Sequence, residues 1–322
     1  MPYRSLKSVI ENGKTAYCFM LDSPLSVLRA ERFVMPEIAV QDYPIKTSEQ
    51  EVARLRMQSD LFRADTESML DRIGVGLEWR CLDLCCGVGG ITDLLSRRVG
   101  TDGSVIGADV DSAKLTVAGD WARANGLGNV RFEQTDAFAT GFPEASFDLV
   151  HSRFALSVIP DGTGILDHML TLVRPGGIVF VEEANVQTME CTPTEPVWDR
   201  ALALMVDTFA KIGADVYLGP KLYGMFRTIG LTELRVRACL HALRAGDPMM
   251  MHLPGTVEGM RDAILSMGTV TAVELDHIVE RLREHLLRPD TLTISYSMVQ
   301  VVGRVPERGL SRSSMRRAGG LV

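Results

Sequence analysis

The chain has 322 residues, of which 46% are hydrophobic and 23% charged, and its formal net charge is −7. This composition is typical of a globular protein that buries a core, and the acidic balance disfavours nucleic-acid binding, which needs clustered Lys and Arg. No apolar run approaches the roughly 18 residues that a membrane span requires, and nothing near the start resembles a secretory signal. We therefore expect a cytoplasmic protein that binds neither nucleic acid nor membrane.

The first 74 residues predict a hairpin followed by helices. Two short apolar runs flank Asn12-Gly13, a pair that favours a tight two-residue turn between antiparallel strands. Ser23-Pro24 predicts the start of a short helix that ends near Phe33. A lone hairpin is only marginally stable, so it is also a candidate contact between copies of the chain, which would make the protein a homo-oligomer.

A second helical stretch precedes residue 74. Ser48 and Glu51 have the spacing of a capping box, which predicts a helix that continues through Phe62. A further helix is predicted over residues 65–73, ending at Gly74. We expect residues 1–74 to form an extension that precedes a separate domain.

From residue 80, short apolar strands alternate with helices. The predicted strands are 81–85, 104–110, 130–134, 147–152 and 178–183, and the predicted helices between them are 91–98, 112–125 and 165–173. This alternation is typical of βαβ units and predicts an α/β fold with a doubly wound parallel sheet.

The remaining chain is more helical. Strands are predicted at 232–238 and 291–302, with helices at 194–212, 221–229, 256–267 and 273–287. We expect one domain over residues 75–303, with helical cap inserts at about 185–220 and 243–289 and a disordered basic tail at 304–322. The six cysteines show neither a disulfide framework nor metal-ligand spacing, so no metal is expected.

Candidate ligand-binding residues lie at the ends of the first three predicted strands of this sheet. A glycine-rich loop follows Cys85, Asp109 ends the next strand, and Asp136 follows the third. Ligands bind beyond the carboxyl ends of such strands, where glycine lets the backbone approach them and a carboxylate accepts from ribose hydroxyls. The buried Asp83 needs a partner, which the cationic head of a ligand would supply. The loop lacks the spacing of a dinucleotide site, so an adenosyl ligand without phosphate is favoured.

Five segments in order resemble the class I S-adenosylmethionine-dependent methyltransferases. They are 82–89 (LDLCCGVG), 105–109 (VIGAD), 134–137 (QTDA), 147–150 (FDLV) and 172–177 (LVRPGG). The helix before them and the strand 291–302 are similar to the small-molecule branch related to quinone-pathway and natural-product enzymes. The resemblance implies a Rossmann-like seven-stranded sheet whose last strand is antiparallel.

The resemblance also implies S-adenosylmethionine as cofactor and a set of cofactor-binding residues. Asp83 and Gly87 would lie at the methionine moiety, Asp109 at the ribose, and Asp136 at the adenine. The full implied set is Asp83, Cys85, Gly87, Gly89, Asp109, Val110, Asp136, Ala137, Ser152 and Arg153. The family usually has glycine where Cys85 stands, which predicts a more crowded backbone there.

Two residues are candidate general bases. Glu182 and Glu183 face opposite sides of a strand, so one of them can face the pocket, and Glu183 is preferred; a solvent-facing or ion-paired role is the alternative. His151 is the second candidate, with a satisfied core histidine as its alternative. His241 and His252 flank the Met-rich insert and are candidates for substrate contact.

We expect an enzyme that methylates a small, largely apolar metabolite at oxygen, nitrogen or carbon, in specialised metabolism. The alternatives are a protein that binds S-adenosylmethionine without methylating and a protein or RNA methyltransferase. The acidic charge and the enclosing caps disfavour the last of these.

Overall fold

The computed structural model describes residues 6–11, 14–19 and 44–307. The first two segments are the antiparallel strands β1 (Leu6–Glu11) and β2 (Lys14–Phe19), which place Glu11 opposite Lys14 and confirm the predicted hairpin. The hairpin belongs to a compact unit separate from residues 44–307. Its turn residues and the helix predicted from Ser23 lie outside the described residues.

A single long helix, α1 (Glu49–Ile73), opens the main unit. Its N-cap Ser48 accepts a hydrogen bond from the Glu51 N–H at 3.1 Å, and it ends at Gly74 in the left-handed conformation, with φ at 74°. The prediction of two helices was wrong at their junction. Arg63 and Ala64 are good helix formers, so nothing there interrupts the backbone hydrogen bonds.

A seven-stranded sheet forms the centre of this unit. Its strands are β3 (Arg80–Leu84), β4 (Ser104–Asp109), β5 (Val130–Gln134), β6 (Phe147–Arg153), β7 (Val173–Asn185), β9 (Thr232–Cys239) and β12 (Ser297–Arg304). Their spatial order is β5-β4-β3-β6-β7-β12-β9, and β12 runs antiparallel to both of its neighbours. This is the predicted topology, with the last strand inserted antiparallel.

Helices cover both faces of the sheet. The remaining α-helices are α2 (Thr92–Val99), α3 (Ser112–Ala124), α4 (Thr163–Leu172), α5 (Pro196–Lys211), α6 (Leu222–Ile229), α7 (His252–Gly259), α8 (Arg261–Ser266) and α9 (Ala272–Leu286). Residues of α1 and α2 share one apolar core with the sheet, and residues of α4 and α6 share another. Among the described residues, no helix has the length and apolar character needed to cross a membrane.

A third core lies in the cap, where α5, α7, α8 and α9 pack together. Three short strands join this region: β8 (Glu190–Thr192), β10 (Ala242–Arg244) and β11 (Leu292–Ile294) form a separate sheet in the order β10-β11-β8. The single strand predicted over 291–302 was therefore wrong. Ser295 and Tyr296 separate β11 from β12, and the Ser295 N–H donates to the carbonyl of His241 at 2.9 Å instead of continuing a ladder.

The order of the strands fixes where a ligand can bind. The chain moves outward from β3 to β4 and β5, and then returns to place β6 on the other side of β3. The connections after β3 and β6 therefore diverge and leave a crevice beyond the carboxyl ends of these two strands. The glycine-rich loop after β3 and the residues after β6 meet at this point.

Candidate functional site

The glycine-rich loop after β3 has a tightly specified backbone. Cys85, Gly87 and Gly89 all have positive φ angles, of 58°, 53° and 78°. A Cβ added at Gly89 would lie 3.2 Å from the Cβ of Ala118 in α3, so glycine allows the loop and the helix to pack closely. A Cβ added at Gly87 would meet nothing within 4 Å, so the backbone there faces open space.

Cys85 occupies a conformation that favours glycine. A non-glycine residue in the left-handed region costs about 1 kcal/mol or more, which explains why a glycine is the usual residue at this position in the resembled family. Cys85 is half-buried, yet burial raises the pKa of its thiol well above the ordinary value. Cys85 therefore lies at the crevice beyond the end of β3, called the recess below, and its thiol is unreactive because it stays protonated.

Asp109 lies at the carboxyl end of β4 and is bound to the glycine loop. One carboxylate oxygen accepts from the Gly87 N–H at 2.8 Å, and the other accepts from the Asp111 N–H at 2.9 Å. Burial raises the pKa of Asp109, although these hydrogen bonds and Lys114 oppose the shift. The carboxylate nevertheless remains partly accessible, so it also lines the recess.

Of the next three predicted residues, Val110 directly follows β4, and Asp136 and Ala137 follow the neighbouring strand β5. Val110 is 43% exposed and its carbonyl accepts from the Gln134 side chain at 2.9 Å. Asp136 is exposed, and its carboxylate accepts from the Phe138 N–H at 2.8 Å, which fixes the turn after β5. Ala137 is half-buried beside it. Asp109 and Asp136 thus end adjacent strands, as the sequence predicts.

Asp83 finds its cationic partner inside the protein. Its carboxylate accepts from the Thr92 hydroxyl at 3.1 Å and lies 2.8 Å from Nδ1 of His151 on the adjacent strand. Sequence reasoning expected the cation to come from a ligand. The parallel register of β3 and β6, which pairs Asp83 with His151, supplies it from the core instead.

His151 links two carboxylates across the sheet. Its Nε2 lies 3.0 Å from Glu182 of β7, which also accepts from the Thr66 hydroxyl at 2.9 Å and from the Gln300 amide at 2.6 Å. Burial lowers the pKa of His151, but the hydrogen bonds to Asp83 and Glu182 outweigh burial and the net shift is upward. Since the ring is fully buried and both nitrogens are engaged, this geometry matches the core alternative, and a catalytic role for His151 stays a prediction.

Glu183 faces the opposite side of β7 from Glu182, as strand alternation predicts. One of its oxygens accepts from the backbone N–H groups of Ala155 and Leu156 at 3.1 and 2.8 Å. The other accepts from the N–H and hydroxyl of Ser157 at 3.2 and 2.5 Å. Burial raises the pKa of Glu183 to about 7 despite these four donors. The carboxylate therefore holds the loop after β6, and its assignment as a general base stays a prediction.

Ser152 and Arg153 end β6 next to the glycine loop. The Ser152 hydroxyl is buried and has no hydrogen-bond partner among the described residues. Arg153 donates to the Ser59 hydroxyl at 2.8 Å, and Ser59 donates to the carbonyl of Gly90 at 2.8 Å. Two hydrogen bonds thus connect Arg153 to the loop, and its contact with the cofactor stays a prediction.

The side chains around Tyr296 were not among the site residues predicted from the sequence. This residue lies between β11 and β12, and its hydroxyl accepts from the Gln58 amide at 2.6 Å. Its ring contacts Phe62 and Phe154, with centroids 5.4 and 5.5 Å apart. The sequence gives no local signal for this contact, because Tyr296 lies in the middle of the single strand predicted over residues 291–302.

The recess at the switch point fits an adenosyl cofactor. Gly87 presents open backbone, Asp109 keeps an accessible acceptor, and the Ser152 hydroxyl is buried without a partner among the described residues. Acceptors on successive strand ends suit ribose hydroxyls and an exocyclic amine. Groups of three or more His, Cys, Asp or Glu that could hold a metal ion do not occur in the described part of the chain.

Comparisons with known proteins agree with this geometry. Residues 78–218 match the family model described as a methyltransferase domain. The chain is 38% identical over 115 residues to a ubiquinone/menaquinone biosynthesis C-methyltransferase of Idiomarina loihiensis, covering 35% of this chain and 46% of that protein. It is 35% identical over 149 residues to a demethylmenaquinone methyltransferase of Lactococcus lactis, covering 46% of this chain and 55% of that protein.

The fold is likewise shared with solved structures. A candidate methyltransferase of Bacillus halodurans superposes with a TM-score of 0.52 at 15% identity, over 74% of this chain and 98% of that one. The chain spans about half the length of the curated relatives it matches. Residues 78–218 are thus similar in sequence to methyltransferase domains, the fold is shared with a methyltransferase-like structure, and the two relatives are named for ubiquinone and menaquinone methylation.

Proposed function

We propose that this chain transfers a methyl group from S-adenosylmethionine to a small, largely apolar metabolite in a biosynthetic pathway. The observation that carries the proposal is the recess at the switch point, where the open backbone of Gly87 lies beside the accessible Asp109 carboxylate. The methyltransferase family match over residues 78–218 supports the same cofactor.

The cofactor would be held by residues of the three strand ends. The loop at Cys85, Gly87 and Gly89, with Asp83 behind it, would take the methionine part, Asp109 and Val110 the ribose, and Asp136 and Ala137 the adenine, with Ser152 and Arg153 on the sulfonium side. When bound, it supplies a methyl group on an already activated leaving group. The protein then has to hold the acceptor in line and exclude water, and a general base helps only where the acceptor must lose a proton.

The acceptor is proposed to be small and largely apolar. Phe62, Phe154 and Tyr296 contact one another beside β6, and the cap adds an extensive apolar core. The relative of Idiomarina loihiensis is named for C-methylation in ubiquinone and menaquinone biosynthesis, and that of Lactococcus lactis for methylation of demethylmenaquinone, which supports an apolar acceptor. The net charge of −7 argues against a nucleic-acid acceptor.

The domain division into residues 1–74, 75–303 and 304–322, a contact between copies through the N-terminal extension, and a cytoplasmic location belong to the same proposal. They follow from the sequence patterns and the net charge.

Methyl transfer can be tested with isotopically labelled S-adenosylmethionine and a panel of phenols, quinols, amines and enolisable carbon acids. We expect label in at least one small-molecule product, and we expect Asp109→Asn to lower it at limiting cofactor while the surface variant Asp120→Asn does not. Tight cofactor binding without label on any acceptor would instead favour a non-methylating binder. Label on polypeptide or RNA would favour the macromolecular alternative.

A further inference from the structure

His252 presents a buried hydrogen-bond donor without an acceptor. Its Nε2 lies 3.0 Å from a terminal nitrogen of Arg54, and because a guanidinium can only donate, this nitrogen of the imidazole is the acceptor. The ring proton is therefore on Nδ1, which has no hydrogen-bond partner among the described residues. Burial and the charge of Arg54 lower the pKa of His252 to about 3, so the ring stays neutral and keeps this tautomer. The residue is only 8% exposed.

Tyr296 supplies a second donor next to it. The two rings lie with centroids 5.5 Å apart, and the Tyr296 hydroxyl oxygen accepts from Gln58, which leaves its proton without an acceptor in the described part of the chain. Burial raises the pKa of Tyr296 to about 12, although Gln58, Arg54 and Arg153 oppose the shift, so the phenol keeps its proton. The neutral phenol of Tyr296 and the neutral imidazole of His252 are thus both available as hydrogen-bond donors.

The net charge near His252 and Tyr296 is positive, because one of the two nearby arginines has no ion pair among the described residues. The buried Arg54 is neutralised by Glu51 through two hydrogen bonds of 2.7 and 2.8 Å. Arg153 has no carboxylate within ion-pair distance among residues 44–307, and it donates only to the hydroxyls of Ser59 and Thr66. The charge of Arg153 helps to lower the pKa of Glu182, but the hydrogen-bonded partner of that carboxylate is His151.

The donors lie next to the proposed methyl-transfer site. The Tyr296 ring contacts Phe154, the residue that directly follows Arg153 at the end of β6. Arg153 itself reaches the glycine loop through Ser59 and the carbonyl of Gly90. Phe154 is only partly buried, and the guanidinium of Arg153 lies 5.8 Å from its ring centroid. Part of this aromatic ring is therefore exposed next to the Arg153 cation.

We propose that His252, Tyr296 and Arg153 bind an anionic oxygen of the methyl acceptor, whose apolar body packs against Phe154. Two buried donors without acceptors carry a desolvation cost that only an acceptor oxygen offsets, and a guanidinium without an ion pair favours a negatively charged one. Phenolates, enolates and carboxylates share this chemistry. The inference rests on the proposed function, since it names the acceptor class for that same site.

Binding of ring probes to the full chain saturated with S-adenosylhomocysteine tests this without turnover. The probes are 4-nitrophenolate, 4-nitrobenzoate and the uncharged 4-nitroanisole, compared by calorimetric affinity. Because a hydrogen bond to a charged group is worth about 1.5–3 kcal/mol, we expect at least one anion to bind about tenfold or more tightly than the anisole. The stronger of the two anions identifies the oxygen type.

Substitutions of Tyr296 and His252 test whether these two residues cause the preference for anionic probes. Tyr296→Phe removes one oxygen atom, and we expect it to lower the preference for the anion about tenfold while affinity for S-adenosylhomocysteine is unchanged. His252→Gln can still accept from Arg54 and donate, so it should keep more of the preference than His252→Leu. Tyr223→Phe, at a 42% exposed tyrosine outside the cluster, is the matched control.

Equal affinity for the three probes, or a preference that survives Tyr296→Phe intact, would overturn the proposal. Failure of S-adenosylhomocysteine to bind at all would instead contradict the proposed function, so the two failures are distinguishable.

Discussion

Three buried side chains form an acid–imidazole–acid group near the centre of the sheet. Asp83 and Glu182 are the two acids, and His151 lies between them and is bonded to both. A buried charge is tolerated only when its partners are in place. His151 therefore supports Asp83, which leads into the glycine loop.

Replacing His151 removes the shared partner of two buried carboxylates. We expect His151→Phe to lower the free energy of unfolding by about 3–5 kcal/mol, the usual result of leaving a buried charge unpaired. Urea denaturation measures this, with the exposed His277→Phe as control. An effect as small as that of the control would mean that Asp83 and Glu182 do not depend on His151.

The raised pKa of His151 predicts how the stability of the protein depends on pH. The folded-state pKa of His151 is raised above the ordinary value of 6.5, so the folded protein holds this proton more tightly than the unfolded chain does. Its contribution to stability is complete below pH 6.5 and is lost as the pH rises through the folded-state pKa. The stability difference between wild type and His151→Gln should therefore shrink with rising pH, and a growing difference would contradict this assignment.

Asp109 makes a prediction about cofactor affinity. Its carboxylate fixes the Gly87 N–H and remains accessible for a ligand, so Asp109→Ala removes both contacts. We expect binding of S-adenosylhomocysteine to weaken by about 1–3 kcal/mol, because buried hydroxyl groups lose their acceptor. Calorimetry provides the comparison with Asp120→Ala, and unchanged affinity would exclude Asp109 from the site.

The sequence alone could predict that Asp109 and Asp136 lie at neighbouring strand ends, because the carboxyl ends of parallel strands share one edge of a sheet. It could not predict the partners of Asp83. The pairing with His151 depends on the register between strands separated by 68 positions in the chain. The Tyr296 and His252 pair likewise depends on how the cap meets β12.

At the scale of elements, Glu183 of β7 holds the loop after β6. Glu183→Gln leaves a single acceptor oxygen and adds a donor facing the N–H groups of residues 155–157. We expect faster amide hydrogen exchange in this loop and slower methyl transfer, with unchanged affinity for S-adenosylhomocysteine. Glu190→Gln, at an exposed position in β8, is the control. Unchanged exchange would mean that the loop does not need this carboxylate.

The raised pKa of Glu183 also predicts a pH dependence of the stability of the protein. Its pKa rises from 4.5 to about 7 on folding, so the folded protein binds this proton more tightly than the unfolded chain. Stability from this group is complete below pH 4.5 and falls as the pH rises through about 7. Glu183→Gln should flatten this part of the stability profile, and a wild-type slope that persists in the variant would assign it to another group.

Element boundaries were predictable where a local signal exists. Ser48 and Gly74 mark the ends of α1 by capping chemistry, and both were identified in the sequence. The division of 291–302 into β11 and β12 was not predictable, because both segments are apolar and β-prone. What separates them is the pairing of β11 with β8 and β10, which are distant in the chain.

At the scale of the whole molecule, the alternation of strands and helices was enough to predict the doubly wound sheet. Parallel strands need crossovers, and the observed order β5-β4-β3-β6-β7-β12-β9 follows from placing them on both sides of β3. The antiparallel β12 came from the family resemblance, since no local pattern distinguishes it from a parallel strand. The arrangement of the cap depended on packing between distant helices and was not predicted.

We propose that the recess after β3 and β4 takes an adenosyl sulfonium and not a dinucleotide. Calorimetric titration of the full chain with S-adenosylmethionine, S-adenosylhomocysteine and NAD tests it directly. We expect one binding site for each of the first two ligands and no measurable heat with NAD. Binding of NAD in place of them, or binding of none of the three, would contradict it.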